Sequence, residues 1–215
     1  MPRLAKIVVL TACAAACRGG GGSATAPPAT APQPAEHAWA AIAAQHVAVL
    51  PTYTVRVMPG LAWSLPAATE VRRQLDAAIV AALDERGLRR TWSFPDQLAQ
   101  SYRRNSSYAT DPYAFAEEPL RTMSADANTH LPEPLASQIR TMVALQQDTR
   151  LVLAPVELRL EKAGTGGRGV LRVTLMDART SDVHWVGDIV SDTVSEFGPA
   201  VTASIAVRLA GVIAP

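Results

Sequence analysis

Cysteine is nearly absent from this 215-residue chain: Cys13 and Cys17 are its only two, and both fall within the first seventeen positions. The body of the protein therefore has no disulfide framework and no cysteine-built zinc site. Lysine is equally scarce, with Lys6 and Lys162 alone, and arginine supplies the remaining basic residues. The codon usage of a GC-rich genome accounts for that bias, which goes with abundant alanine. Charge of either sign is lacking in excess, since 20 Lys and Arg stand against 19 Asp and Glu. Without a basic surplus to neutralise phosphates, nucleic acid is excluded as a partner. No uncharged apolar run reaches the length of about 20 residues that a transmembrane helix needs. Aromatic residues make up only 5% of the chain, so any local concentration of them is informative.

What the sequence does contain begins at its amino terminus. Met1 to Lys6 carries two positive charges, and Ile7 to Ala16 is then small or apolar, the order of a signal peptide. Its end, where both cysteines lie, resembles the lipobox of bacterial lipoproteins, in which small residues precede a cysteine that receives a lipid and becomes the first residue after cleavage. Leu10-Thr11-Ala12-Cys13 has the aliphatic residue three places before the cysteine, but leaves only Ile7 to Ala12 as the apolar core, short of the usual 7–15 residues. Ala14-Ala15-Ala16-Cys17 allows a core of ordinary length, so Cys17 is the preferred lipidation site and Cys13 the alternative. The signal peptide is thus read as residues 1–16. Residues 17–45 are read as the lipidated cysteine and a disordered Gly, Ala and Pro-rich tether, including Gly19 to Gly22 and Pro27-Pro28. From Gly19 to about Glu36 this tether reaches on the order of 50–60 Å if extended as polyproline.

Residues 46–215 are read as a single globular domain. His46 to Pro51 forms a short buried strand that Tyr53 to Met58 extends after a kink. Val71, Leu75, Ile79 and Leu83 recur every four residues and define a helix, with Thr69 placed to cap it and Gly87 to stop it. Arg90 to Phe94 reads as a further strand, and Pro95-Asp96 opens a helix that runs to about Arg104. Prolines keep residues 105–134 irregular. A helix follows, burying Leu135, Ile139, Met142, Val143 and Leu145, and then three strands: Leu151 to Glu161, Val170 to Met176 and Val183 to Asp192. In the first of these, Glu157, Arg159 and Glu161 alternate with apolar neighbours and predict one wet face. A last helix begins at Gly198-Pro199 and buries Val201, Ile205, Leu209 and Val212. The expected fold class is α/β (α+β): a mixed, roughly five-stranded sheet ending in an antiparallel three-strand meander, packed by about four helices.

Catalytic and metal signatures are not found. Gly164-Thr165-Gly166-Gly167-Arg168-Gly169 spells GxGxxG, but it joins two strands, where a nucleotide cradle needs a strand followed by a helix; a hairpin loop is expected. His37, His46, His130 and His184 have no metal-ligand spacing, no G-x-S-x-G elbow occurs, and Asp177, Asp182, Asp188 and Asp192 lack the spacing of a calcium loop. The expectation is a protein without enzyme activity, cofactor or metal. One local feature stands out. Tyr102, Tyr108, Tyr113 and Phe115 lie within fourteen positions of a proline-broken segment, beside Arg103 and Arg104. Tyr and Arg are enriched at protein interfaces, so Arg103, Arg104, Tyr108 and Tyr113 are the candidate partner-binding residues. Pinning of an irregular segment onto the core is the competing explanation.

Three features together resemble a family of envelope lipoproteins and periplasmic domains that includes the TolB amino-terminal domain, LpoB and the core of the secretion lipoprotein CsgG. They are the Val47-Ala48-Val49-Leu50-Pro51 strand, the helix ending at Glu85-Arg86-Gly87-Leu88, and the hairpin from Leu171 through Asp177-Ala178-Arg179-Thr180-Ser181-Asp182 to Trp185. Ser181 stands where that family commonly has glycine. The resemblance implies a lipid-anchored module on the periplasmic face of the envelope that binds another envelope protein. Its second implication is a subunit of an oligomeric pore, against which stand the short chain and the lack of lipid-facing hairpins. By the sorting rules of such lipoproteins, the absence of Asp after either cysteine points to the outer membrane.

Overall fold

Val47, Ala48, Val49 and Leu50 are all buried, yet alternate residues enter two different cores: Val47 and Val49 join one, Ala48 and Leu50 the other. A strand can do this only in a sheet covered on both faces. The computed structural model, which describes residues 36–124, 129–146 and 148–214, shows such a sheet. Its strands are β1 (Val47–Val49), β2 (Thr54–Val57), β3 (Leu151–Ala163), β4 (Gly166–Asp177) and β5 (Val183–Val190). The order is β1-β3-β4-β5, and β2 also pairs with β3. β1 runs parallel to the first part of β3 and β2 parallel to a later part, whereas β3, β4 and β5 form an antiparallel meander. The fold is therefore the α+β class expected, with five strands among the described residues.

Among the described residues, six α-helices surround the sheet: α1 (Glu36–Ala43), α2 (Ala68–Glu85), α3 (Pro95–Arg104), α4 (Glu118–Thr122), α5 (Leu135–Val143) and α6 (Pro199–Ile213). Residues of α1, α2 and α6 share one core with Leu153, Leu158, Leu171, Val173 and Leu175. Residues of α3, α4 and α5 share the second with Val152, Ala154, Val156 and Met176. The result is three layers.

Several expectations are corrected. Among the described residues the helices number six where about four were expected, because α1 and the five-residue α4 are short segments in Ala-rich and Pro-rich surroundings. α1 also lies inside residues 17–45, the stretch read as tether, and buries Trp39 against Trp185, with ring centroids 5.2 Å apart at 81°. The folded domain thus extends back beyond the boundary read at 46; composition hid a helix whose Trp39 is buried and whose Ile42 and Ala43 pack against the same core. Residues 1–16, read as a signal peptide, Cys13, Cys17 and the stretch up to residue 35, read as a tether, lie outside the described residues.

Arg90 to Phe94 is not a strand. Leu88–Arg90 is a 3₁₀ turn, and the chain then meets β1 only at the Ala48–Ser93 bridge, where Val49 N–H donates to Ser93 O at 2.8 Å. α2 is preceded by Ala67, and Thr69 lies within its first turn without capping it, whereas Gly87 does stop the helix in the left-handed conformation at φ 75°. In α6, Ile213 is fully buried and Val212 only partly; Leu145 lies past the end of α5 and is half-buried.

The glycine-rich letters do form a hairpin, with Gly164 and Thr165 as its two turn residues and Gly164 at φ 59°. A Cβ at Gly167 would collide with Leu61 and Trp63, which explains why glycines gather there without a phosphate. The β4–β5 turn keeps a left-handed residue even with serine, since Ser181 has φ 65° and its Oγ accepts from Arg140 Nη1 at 2.9 Å.

Glu157 is the main reversal. A register shift in the β3–β4 pairing between Pro155 and Glu157 leaves Val156 as an extra residue, so Val156 and Glu157 both fall toward the second face. Glu157 is 3% exposed and lies 3.3 Å from Arg56, 3.6 Å from Arg159 and 4.0 Å from Arg121. The face read as wet is closed over by guanidinium groups.

Candidate functional site

α3 anchors itself through Leu98, which is buried, and Gln97 Oε1 accepts from the Phe94 N–H at 2.9 Å to fix its start. Its last turn leaves Arg103 and Arg104 exposed. Asn105 ends the helix, its Nδ2 donating to Ser101 O at 2.9 Å, and its Oδ1 accepts from the Tyr108 hydroxyl at 2.5 Å. Beyond it, the chain is fastened to the body at points distant in sequence. The Tyr53 hydroxyl donates to Pro112 O at 2.8 Å, Phe115 stacks on Tyr53 at 5.5 Å, and Thr54 Oγ1 donates to Glu117 Oε1 at 3.0 Å. Burial, with nearby carboxylates second, holds the Tyr53 phenol well above its usual pKa, so it remains a donor.

The aromatics of this segment therefore divide into two kinds. Phe115 is buried and Tyr102 half-buried, whereas Tyr108 is 63% exposed and Tyr113 58% exposed. Arg103 and Arg104 are exposed as well, so all four residues selected from the sequence are solvent-facing. The pinning reading describes Phe115; it does not describe Tyr108 or Tyr113.

Tyr113 also lines a cleft of about 430 Å³ between the outer face of α2 and the start of α3. Asp76, Asp84 and Asp96 line the same cleft, where Arg89 reaches Asp84 at 3.6 Å. Partial desolvation, then the charges of Asp76, Asp96 and Asp111, raises the Tyr113 phenol, and Arg103 opposes that rise. Asp76 was not visible from sequence as a special residue. It follows Leu75 on an amphipathic helix and reads as an ordinary polar-face residue; only the fold brings Thr52 against it, with the Thr52 N–H and hydroxyl donating to its Oδ1 at 2.8 and 2.6 Å.

Burial raises the Asp76 carboxyl from 3.8 to about 6, despite these bonds and the nearby Arg72. A carboxyl so raised holds its proton in the folded protein while the unfolded chain has released it. Folding then takes up a proton between about pH 4 and pH 6, and stability falls as pH rises through that window. Asp76→Asn keeps the oxygen that accepts from Thr52 and removes the charge. Urea midpoints at pH 4, 5, 6 and 7 should show a flatter profile and a gain at pH 7 of up to about 3 kcal/mol. An unchanged slope would mean that Asp76 is not the group responsible.

The four aspartates of the meander do not converge. Asp177 pairs with Arg150, Asp182 with His130, Asp188 with Arg159 and Asp192 with Arg208.

No family model matches this chain, and no curated protein matches it. Among solved structures it is similar to the LpoB C-terminal domain from Salmonella enterica, at 15% identity over 69% of this chain and 83% of that one, with a TM-score of 0.34. It is likewise similar to PelC from Paraburkholderia phytofirmans, solved as a dodecamer, at 15% identity over 87% and 95% of the two chains and a TM-score of 0.37. LpoB from E. coli is 12% identical over 87% and 82%, with a TM-score of 0.34.

Proposed function

We propose that this chain is a non-catalytic module tethered by a lipid to the periplasmic face of the cell envelope, most simply at the outer membrane, where it binds another envelope protein. The observation that carries the binding role is the display of Tyr108 and Tyr113. Tyr and Arg are enriched at protein interfaces and among the few residues that carry most of the binding energy there. The adjoining cleft with its three aspartates adds a concave, anionic neighbour for a partner's basic side chain. For the tether, the support is the charged, then apolar, then small-residue order of residues 1–16 ahead of Cys17.

Anchoring is tested by fractionation of cells that express the full chain. Cys17→Ser should leave the precursor uncleaved or release the protein to a soluble fraction, with loss of incorporated palmitate. Retained lipidation in that variant, with loss in Cys13→Ser, would transfer the anchor to Cys13; retention in both would defeat the lipoprotein reading.

A further inference from the structure

Where β3 starts, β4 ends and β5 starts, the end of α1 borders a cavity of about 350 Å³. Its apolar wall is Ile42, Leu151, Leu175 and Trp185, and its polar lining is Gln45, Arg150, Asp177 and His184. Of the polar groups, Asp177 is already committed. It is 1% exposed, its Oδ1 accepts from the N–H groups of Arg179 and Thr180 at 2.8 and 3.1 Å, and its Oδ2 accepts from Arg150 Nε. Burial alone would raise the pKa of this carboxyl, but those bonds outweigh it and leave it lowered, so Asp177 stays ionised and holds the turn.

Gln45 Nε2 donates to Ala41 O at 3.2 Å, and the remaining groups are only partly committed. Arg150 spends Nε on Asp177, and its two terminal amines have no acceptor among the described residues; the side chain is 55% exposed. His184 is 47% exposed, with Nε2 at 3.9 Å from Asp177 Oδ2. Trp185 is 5% exposed, and its Nε1–H has no acceptor among the described residues. Trp185 therefore serves the cavity as apolar wall, and the polar donors that reach it are those of Arg150 and His184.

We propose that this cavity binds a monocarboxylate with an apolar body, its acid group held by the terminal amines of Arg150 and by His184, and its apolar part lying on Trp185, Leu151 and Leu175. The planar guanidinium fork matches a carboxylate. Asp177 offsets one positive charge, so a monoanion suits the rim better than a phosphate dianion. The volume lies at the small end of ligand pockets, enough for one side-chain-sized group and too little for a lipid. The carboxy-terminal residue of a peptide and a free aromatic or aliphatic acid share this chemistry. The site is separate from the tyrosine and arginine surface and stands or falls independently of it.

The test uses the ¹⁵N-labelled full chain, with the Trp185 indole N–H resonance assigned by its loss in Trp185→Phe. Phenylpropionate and its amide are titrated in one arm, and acetyl-Ala-Ala-Phe with a free or an amidated end in the other. The expected result is a saturable shift of the Trp185 indole signal with the acid forms. Binding should weaken roughly tenfold for the amides and for Arg150→Gln. His184→Gln, which breaks no bond that holds the turn, should also weaken binding and serves if Arg150→Gln fails to fold. Saturation by the peptide names a chain terminus as the source, and saturation by phenylpropionate alone names a free acid; either supports the site. No saturable shift with any probe, equal affinity for acid and amide, or unchanged binding in His184→Gln would overturn it.

Discussion

Leu75→Ala should destabilise the folded domain by about 2–5 kcal/mol, read as a fall in the urea midpoint without a change of slope. Leu75 is fully buried at the centre of the α2 stripe formed by Val71, Leu75, Ile79, Ala82 and Leu83. That stripe packs in the same core as Val201, Ile205 and Leu209 of α6 and the apolar face of the sheet. Truncation removes the transfer energy of the lost methyl and methylene groups, and it also leaves a cavity, because an eighteen-residue helix held along its length against both neighbours cannot move in at one point. A cost below about 1 kcal/mol would mean that α2 repacks freely and that this core is not closely packed.

Simultaneous replacement of Arg103, Arg104, Tyr108 and Tyr113 by Ala should do the opposite: abolish partner capture while leaving the urea midpoint nearly unchanged. Each of the four is exposed, and exposed substitutions away from caps and cores cost under about 0.5 kcal/mol. Tyr108 contributes one local hydrogen bond to Asn105, whereas the contacts that fasten the segment come from Tyr53, Phe115, Thr54 and Glu117, which the variant retains. At an interface, by contrast, truncation of a central Tyr or Arg costs on the order of 2 kcal/mol or more. A photo-crosslinker in place of Ala109 should give one adduct in cells, its partner identified by mass spectrometry, and the fourfold variant should lose it. If the fourfold variant unfolds as readily as Leu75→Ala, these side chains serve packing and the interface reading falls.

Local periodicity made much of the fold legible. The four-residue spacing from Val71 to Leu83, the left-handed stop at Gly87, the proline that opens α3 and the two-residue turn at Gly164 all express rules that act within one turn or one pleat, so they survive without tertiary context. Each failure involved a residue whose role depends on a distant neighbour. Arg90 to Phe94 has the composition of a strand, but the chain has only Ser93 in reach of β1. Trp39 lies in an alanine-rich stretch that looks like a linker until Trp185 is opposite it. The candidate site was half legible: a rare cluster of aromatics marked the segment, but only the structure separates the anchoring Phe115 from the displayed Tyr108 and Tyr113, because exposure depends on where Tyr53 is.

The sequence by itself determined the helices α2, α3, α5 and α6, the antiparallel meander, the hairpin at Gly164 and the four residues offered for binding, since these follow from hydrophobic period, turn chemistry and composition along a short stretch. The tertiary structure alone decided the three-layer arrangement, the burial of Glu157 among three arginines, the raised carboxyl of Asp76 and the cavity beside Trp185. The physical reason is that desolvation and charge pairing are properties of a place in space. Glu157 and Arg56 are about a hundred residues apart in the chain and 3.3 Å apart in the fold, and no pattern local to either residue records that distance.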